Sequence, residues 1–169
     1  RVNAATDQYR RAVGTVDGNF SVRMGGQGKI DELNIAATVS DGFVLLAGRE
    51  APVLMSAANL RAQFANSRTL IAGVTADFGP SGTISLSTNS TISSDSVIES
   101  LQMNISAGDF DAALFTALWP ARTAPVTRRW LRQNLPSGRM RDAKLSFHTR
   151  YDANSGGHKL DDVKGNWRL

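Results

Sequence analysis

The chain has 169 residues, of which 41% are hydrophobic and 20% charged, enough apolar material for the core of one ordinary domain. It contains no cysteine and only two histidines, which excludes disulfides, thiolate metal sites and cysteine nucleophiles. The net charge of +4 arises at the end of the chain, because residues 121–169 carry 11 basic and 4 acidic side chains whereas residues 1–120 carry 8 and 11. Such a cationic patch can attract nucleic acid, lipid phosphates or an acidic partner.

The start of the chain and its hydropathy indicate whether the sequence holds a membrane anchor or a signal peptide. The longest purely apolar run is residues 43–47, far short of the ~18 residues that a membrane helix needs. The chain begins at Arg1 without the charged-then-apolar pattern of a signal peptide. We therefore expect a segment of a larger protein, with any membrane anchor outside it.

Alternation of apolar and polar residues dominates residues 1–110, and it predicts strands with one buried and one solvated face. In chain order the predicted strands are 16–24, 33–39, 43–47, 58–64, 70–78, one within 83–96, and 97–107. Ser40, Asp41 and Gly42 are predicted as a turn between the second and third of these strands. Further strands are predicted over 143–151 and 163–169.

Glycine and polar clusters predict the other turns. Residues 25–29 contain three glycines but lack the first glycine and the Ser or Thr of a phosphate-binding loop, so they predict a hairpin. Residues 65–68 predict a second hairpin, and residues 79–82, of sequence Gly-Pro-Ser-Gly, predict a turn that ends a strand.

One segment has a helical period. The spacing predicts an amphipathic helix of about three turns that begins at Pro125 and ends after Asn134, before Pro136 and Gly138. Its apolar side is predicted to hold Val126, Trp130, Leu131 and Leu135, with Trp130 in the core, and its polar side Arg128, Arg129, Arg132 and Gln133. The spacing of Leu114, Phe115 and Leu118 also allows a second short helix over residues 111–118.

These elements predict a mainly β fold, an antiparallel, strongly curved sheet that forms an open groove or half-barrel with one short amphipathic helix. The whole of 1–169 is interpreted as a single segment, with a strand-rich part over 1–110, a helix-containing motif over 118–138 and closing strands over 139–169. The helix can cover only part of the apolar face of the sheet. The remainder requires a second sheet, another module or a ligand.

Candidate catalytic groups are sparse. The pairs Asp109 with Asp111 and Asp161 with Asp162 could divide acid and base roles, but their Gly- and Lys-rich surroundings favour solvated turns. We therefore predict no catalytic residue.

Metal ions, cofactors and nucleic acid are not expected as ligands. His148 and His158 lie near Asp152 and Asp161 in sequence, but no ligand-spacing motif connects them. The sequence holds no recognised nucleic-acid-binding module, and the aromatic partners that the arginines would need are few.

The most distinctive segment is residues 118–139. A Leu-aromatic-Pro step is followed by a helix of the form Thr-Arg-x-Trp-Leu-x-x-Asn-Leu and then by a glycine. In this chain the pattern falls on Leu118, Trp119, Pro120, Thr127, Arg128, Trp130, Leu131, Asn134, Leu135 and Gly138. This segment resembles the central region of the large YhdP-type proteins of the AsmA-like superfamily.

The resemblance implies a protein of the double-membrane bacterial envelope, anchored in the inner membrane by a helix outside this chain and extending across the periplasm. Members of the family are viewed as bridge-like lipid-transfer proteins whose sheets form a groove for phospholipid acyl chains, without enzyme activity. We therefore expect a non-enzymatic periplasmic segment that binds or conducts phospholipid between the two membranes, with acyl chains and neighbouring modules of the same chain as partners. The motif residues are interpreted as structural, and Arg129, Arg132 and Arg139 as candidate contacts to lipid phosphates.

Two other functions stay open from the residues alone. One is a structural or protein-interaction β-domain of the cell envelope without lipid cargo, its apolar face closed by its own sheet or by a partner chain. The other is a carbohydrate-binding or hydrolytic domain that uses Asp109 and Asp111, which requires both carboxylates to point into one cleft. Burial of an acyl chain gains about 0.8 kcal/mol per methylene and requires no sequence motif. Residues that line a lipid groove therefore cannot be identified by a motif.

Overall fold

The structure, a computed structural model, describes residues 9–46, 51–65, 68–93, 97–119, 125–154 and 157–168. These residues form one antiparallel sheet of nine strands and two α-helices. The strands are β1 Tyr9–Met24, β2 Ile30–Leu46, β3 Val53–Ala65, β4 Thr69–Asp77, β5 Thr83–Ile92, β6 Ile98–Gly108, β7 Phe110–Asp111, β8 Arg139–Asp152 and β9 Gly157–Arg168. The helices are α1 Ala112–Leu118 and α2 Pro125–Asn134.

The sheet is a meander. Each strand from β1 to β6 pairs with the next, β8 pairs with β6, and β9 pairs with β8. The two-residue strand β7 pairs with the first residues of β8, and both helices lie between these two strands in sequence. Over the described ranges the sheet stays open, with β1 at one edge and β9 at the other. The predicted class, a mainly β, antiparallel, curved and open sheet, is confirmed, with two helices in place of one.

The pairing register gives the sheet an apolar face and a polar face, because residues that pair across antiparallel strands point to the same side. A row across the apolar face contains Phe20, Ile35, Ala62, Ala72, Thr88, Met103, Phe147 and Val163. A row across the polar face contains Asp17, Thr38, Asn59, Thr75, Ser85, Ser106, Lys144 and Asn166. The alternation in the sequence thus extends in register from edge to edge.

The buried core lies where the helices cover one end of the apolar face. Its members come from both helices and from strands β2, β3, β4, β6, β7 and β8. A chain of edge-to-face aromatic contacts runs through it, with ring centroids 5.6 to 6.4 Å apart, and comprises Phe78, Phe110, Phe115, Trp119 and Phe147. Helix α1 is therefore fixed to the sheet mainly by aromatic packing, whereas α2 contributes Leu131 to the core.

The prediction of a turn at Ser40 to Gly42 is wrong. Strand β2 continues through these residues to Leu46 and is 17 residues long. Asp41 has a positive φ of 50°, and the register with β1 shifts between Val13 and Thr15. One extra residue in β2 forms a β-bulge, which lets a turn-like sequence lie inside a continuous strand. The strands are consequently fewer and longer than predicted in this part of the chain.

Both predicted helices are confirmed, but α2 faces the sheet differently from the prediction. Leu131 and Leu135 are 2% and 7% exposed, whereas Val126 is 76% and Trp130 45% exposed. Positions five apart on a helix are rotated by about 140°. Val126 and Trp130 therefore form one stripe and the two leucines another, and only the leucines belong to the buried core. The placement of Trp130 in the core is therefore wrong.

The hairpin predicted at residues 25–29 and the strand-ending turn predicted at residues 79–82 are confirmed. A 3-10 turn, Gly26–Gly28, joins β1 to β2, and Gly25 N donates to Lys29 O at 2.8 Å. A second 3-10 turn, Gly79–Ser81, joins β4 to β5. Of the connection between β3 and β4, residues 66 and 67 lie outside the described residues. Among the residues that are described, no helix combines the length and the apolarity needed to cross a membrane.

Candidate functional site

The apolar face continues well beyond the helices, and this uncovered part is called the open apolar face below. It is half-buried in the middle strands and exposed at the two edges of the sheet. Phe20 on β1 is 75% exposed and Leu160 on β9 is 50% exposed. Its larger members are Val16, Phe20, Val22, Leu33, Ile35, Leu60, Phe64, Leu70, Leu101, Leu160 and Val163.

A pocket of about 310 Å³ lies where α1 meets the open apolar face. This volume is at the lower end of the ~300–1,000 Å³ typical of ligand pockets. Its lining is entirely apolar and comprises Val74, Ala76, Phe78, Ile84, Leu86, Met103, Ile105, Phe115, Leu118 and Trp119. Such a pocket can accept a hydrocarbon chain, but it offers no group for acid–base or nucleophilic chemistry.

The motif residues mostly hold the helices in place. Trp119 is buried and packs edge-on against Phe147 at 5.9 Å. Asn134 Nδ2 donates to the Trp130 carbonyl at 2.8 Å at the end of α2. Gly138 has a φ of 108°, and its carbonyl accepts a hydrogen bond from Ala112 N at 3.0 Å.

Three other motif residues contribute to the pocket or to the buried core. Leu118 lines the pocket under α1, and Leu131 and Leu135 are buried. Pro120 and the side chain of Thr127 lie outside the described residues. The interpretation of the whole set as a family motif stays a prediction.

The three candidate phosphate contacts differ in their surroundings. Arg129 and Arg132 are exposed on α2. Arg139 Nε donates to Asp109 Oδ1 at 2.8 Å, and its Nη1 donates to the Pro80 carbonyl at 2.6 Å. The hydrogen bond from Arg139 lowers the pKa of Asp109 and raises the pKa of Arg139 itself. A phosphate contact by Arg139 would have to compete with Asp109, and for all three arginines this role stays a prediction.

The carboxylates considered for catalysis have structural partners. Asp109 lies in a turn with a φ of 46° and pairs with Arg139. Asp111 Oδ1 accepts a hydrogen bond from Leu114 N at 2.6 Å and so caps α1. The two carboxylates bind different partners, Asp109 an arginine and Asp111 a helix amide. They therefore do not form the pair facing one cleft that a hydrolytic site requires.

The second pair lies on the polar face. Asp161 Oδ2 lies 3.5 Å from His148 Nδ1 and 3.3 Å from Arg150 Nη2. Asp162 pairs with Lys164 at 2.8 Å, and this hydrogen bond lowers the pKa of Asp162. Within the described part of the chain, no cluster of three or more His, Asp or Glu residues could hold a metal ion.

Two buried polar atoms were missed by the sequence analysis. Arg128 Nε and Thr149 Oγ1 are buried and have no hydrogen-bond partner. Their positions carried a signal. Arg128 precedes Leu131 by three residues and so lies on the side of the helix that holds the buried leucines, and Thr149 alternates in phase with Leu145 and Phe147. The assignment of Arg128 to the solvated side of the helix is wrong for this reason.

No family model, curated protein or solved structure matches this chain.

Proposed function

We propose that this chain binds phospholipid acyl chains along its open apolar face. In this proposal it is a non-enzymatic periplasmic segment of an AsmA-like, YhdP-type protein that conducts lipid between the inner and outer membranes. The observation that carries the proposal is the apolar face itself, which extends in register from β1 to β9 while the two helices cover only one end of it.

An exposed apolar surface of this extent is unusual for a folded chain, because large contiguous apolar patches mark binding surfaces. Its rows are nearly free of polar side chains, so it offers hydrophobic contact without directional hydrogen bonds. A ligand that suits it is long and apolar. Each methylene of an acyl chain that leaves water there contributes about 0.8 kcal/mol.

The polar face supports an asymmetric role for the sheet. Its side chains bond to one another across strands, as in Thr38 Oγ1 to Asn59 Oδ1 at 3.1 Å and Ser146 Oγ to Asn104 Oδ1 at 2.9 Å. This face is satisfied in water and needs no partner. Only the opposite face calls for one.

The alternative is a structural or protein-interaction domain of the cell envelope without lipid cargo. The sheet edges favour it, because β1 and β9 each have one paired neighbour among the described strands. Unpaired strand edges readily pair with another chain. A partner that pairs with an edge strand could then place its own apolar residues over the open apolar face.

Lipid binding can be tested by extracting the purified chain and analysing the extract by lipid mass spectrometry. Titration with a fluorescent fatty acid adds a measure of affinity. We expect Leu86→Asp, in the apolar pocket, to weaken probe binding by about tenfold or more, because a carboxylate would have to be desolvated. The matched control is Ser87→Asp, the next residue of the same strand on the polar face, which should bind as the parent chain does.

Circular dichroism should show that each variant is folded. Phe20→Asp provides a second test, since Phe20 is so exposed that its replacement does not disturb the core. A chain that carries no lipid and binds no probe, or a Ser87→Asp variant as impaired as Leu86→Asp, would contradict the proposal.

A further inference from the structure

The pocket beneath α1 is closed at one end by the aromatic core. Among its lining residues, Ala76 and Phe78 are 8% and 7% exposed and Phe115 of α1 is 2% exposed. The fully buried Phe110 packs edge-on against Phe78 and Phe115, with ring centroids 5.8 and 6.4 Å apart. A chain that enters the pocket therefore ends against these rings.

The pocket leads onto the sheet at its other end. The lining residues Val74, Leu86 and Met103 are only half-buried. Val74 pairs with Leu86, and Met103 lies one row farther from the core, where it pairs with Thr88. The row after that contains Ser90 and lies outside the pocket. The pocket is thus the covered end of the open apolar face.

The polarity of the apolar face changes along the strands. Across β4, β5, β6 and β8, the row that contains Ile84 and the row that contains Leu86 hold only apolar side chains. The next row holds Thr88, and the row beyond it holds both Ser90 and Thr149. Ile84 and Ser90 are six residues apart on β5, about 20 Å of strand. An extended acyl chain can span this distance, from the apolar end of the face to its hydroxyl-bearing end.

The two ends of a lipid differ in what the closed pocket would cost them. A carboxylate or phosphate there would lose its hydration, and no lining residue carries a charge or a hydroxyl that could compensate. A terminal methyl group has no such cost and gains by leaving water. The pocket therefore favours the hydrocarbon end, and the part of the face that the helices leave uncovered allows the polar end to remain hydrated.

We infer that the pocket beneath α1 binds the methyl end of a lipid acyl chain, with the polar end of the lipid towards the row of Ser90 and Thr149. This inference rests on the proposed function and deepens it, because it gives the bound lipid a direction on the sheet. A lipid in this direction holds its headgroup away from the helices. It follows that Arg129 and Arg132 of α2 do not contact its phosphate.

Trp119 lines the pocket and can report which end of a ligand is near it. The chain has three tryptophans, so Trp130→Phe combined with Trp167→Phe leaves Trp119 as the fluorophore. The probes are two stearic acids that carry a doxyl quencher either near the methyl end or near the carboxyl end. We expect the methyl-end label to quench Trp119 several-fold more strongly than the carboxyl-end label.

The matched control keeps Trp130 as the fluorophore, through Trp119→Phe combined with Trp167→Phe. Trp130 belongs to the exposed stripe of α2, outside the pocket lining. The two doxyl acids should therefore quench it weakly and to the same extent. Preferential quenching of Trp130 by the methyl-end label would show that the label acts outside the pocket and would overturn the inference.

Photolabelling of the parent chain requires no substitution. Palmitic acid with a diazirine at its methyl end should label pocket residues such as Met103 and Phe115. A diazirine next to the carboxyl group should instead label residues around Leu101 and Thr149. Tandem mass spectrometry of the digested chain locates both labels.

The remaining outcomes separate this inference from the proposed function. If neither probe acid displaces a fluorescent fatty acid from the parent chain, acyl-chain binding fails and the proposed function fails with it. If both acids bind and Trp119 is quenched equally by the two doxyl labels, or more strongly by the carboxyl-end label, only the direction of the lipid fails. Photolabelling by the carboxyl-end diazirine within the pocket, or around Phe20 on the edge strand β1, would likewise overturn the direction alone.

Discussion

Arg139 on β8 forms an ion pair with Asp109, in the turn that follows β6, with Nε 2.8 Å from Oδ1. The same guanidinium donates to the carbonyl of Pro80, in the turn between β4 and β5. One side chain therefore connects three consecutive parts of the sheet at the end that carries the helices. Its effect on the turns should be visible in the pH dependence of stability.

The pair predicts a loss of stability in acid. Because the pKa of Asp109 is lower in the folded chain than its ordinary value, its contribution is present above the unfolded pKa of about 3.9 and is lost as pH falls through the folded pKa. We expect Asp109→Asn to lower the melting temperature at pH 7 and to differ less from the parent near pH 3. The effect is small and decreases with salt, because the pair is exposed.

Asp17→Asn, at an exposed position on β1, is the control and should leave the difference between pH 7 and pH 3 unaltered. An Asp109→Asn variant that differs from the parent by the same amount at both pH values would exclude this account of the pair.

The strands could be predicted because their signal is local. A period of two in the sequence identifies both the strand and its buried face, and a meander preserves that face from one strand to the next. The bulge at Asp41 could not be predicted, because a Ser-Asp-Gly sequence suits a turn and a bulge equally, and the choice depends on pairing with β1.

The contacts of the candidate site depended on the fold. Asp109 and Arg139 are 30 residues apart and meet only because β8 lies beside β6. On α2 the apolar residues spread over two stripes, so the periodicity predicted the helix without showing which stripe packs on the sheet. That ambiguity placed Trp130 in the core, although it is 45% exposed, and Arg128 in solvent, although it is half-buried.

Gly82 is predicted to tolerate no side chain. It has a φ of 99°, and a Cβ there would clash with the carbonyl oxygen of Asp109. Gly82→Ala should therefore lower the free energy of unfolding by about 1–3 kcal/mol, the usual cost of a strained backbone, or more through the clash. Gly108→Ala is the matched control, since a Cβ there meets nothing within 4 Å. Urea denaturation measures both, and equal stabilities would refute the clash.

The cap of α1 predicts a smaller effect. Asp111 accepts a hydrogen bond from Leu114 N at 2.6 Å, so Asp111→Ala leaves a helix amide unpaired and should cost about 1 kcal/mol. Asp111→Asn keeps an accepting oxygen and should remain close to the parent. If both variants lose the same stability in urea, the negative charge of Asp111 matters and the cap does not.

The two stripes of α2 predict opposite responses to truncation. Leu131→Ala should lower the free energy of unfolding by about 2–5 kcal/mol, because it leaves a cavity between helix and sheet. Val126→Ala, on the exposed stripe of the same helix, should change it by no more than about 0.5 kcal/mol. Urea denaturation of the two variants compares them directly. A Val126→Ala variant as unstable as Leu131→Ala would show that the stripe of Val126 and Trp130 is the buried one.

The two tryptophans allow an independent measurement. Trp119 is buried and Trp130 is 45% exposed. Acrylamide should therefore quench the emission of Trp130, which Trp130→Phe removes, more strongly than the emission of Trp119, which Trp119→Phe removes. Equal quenching of the two emissions would contradict the exposed position of Trp130.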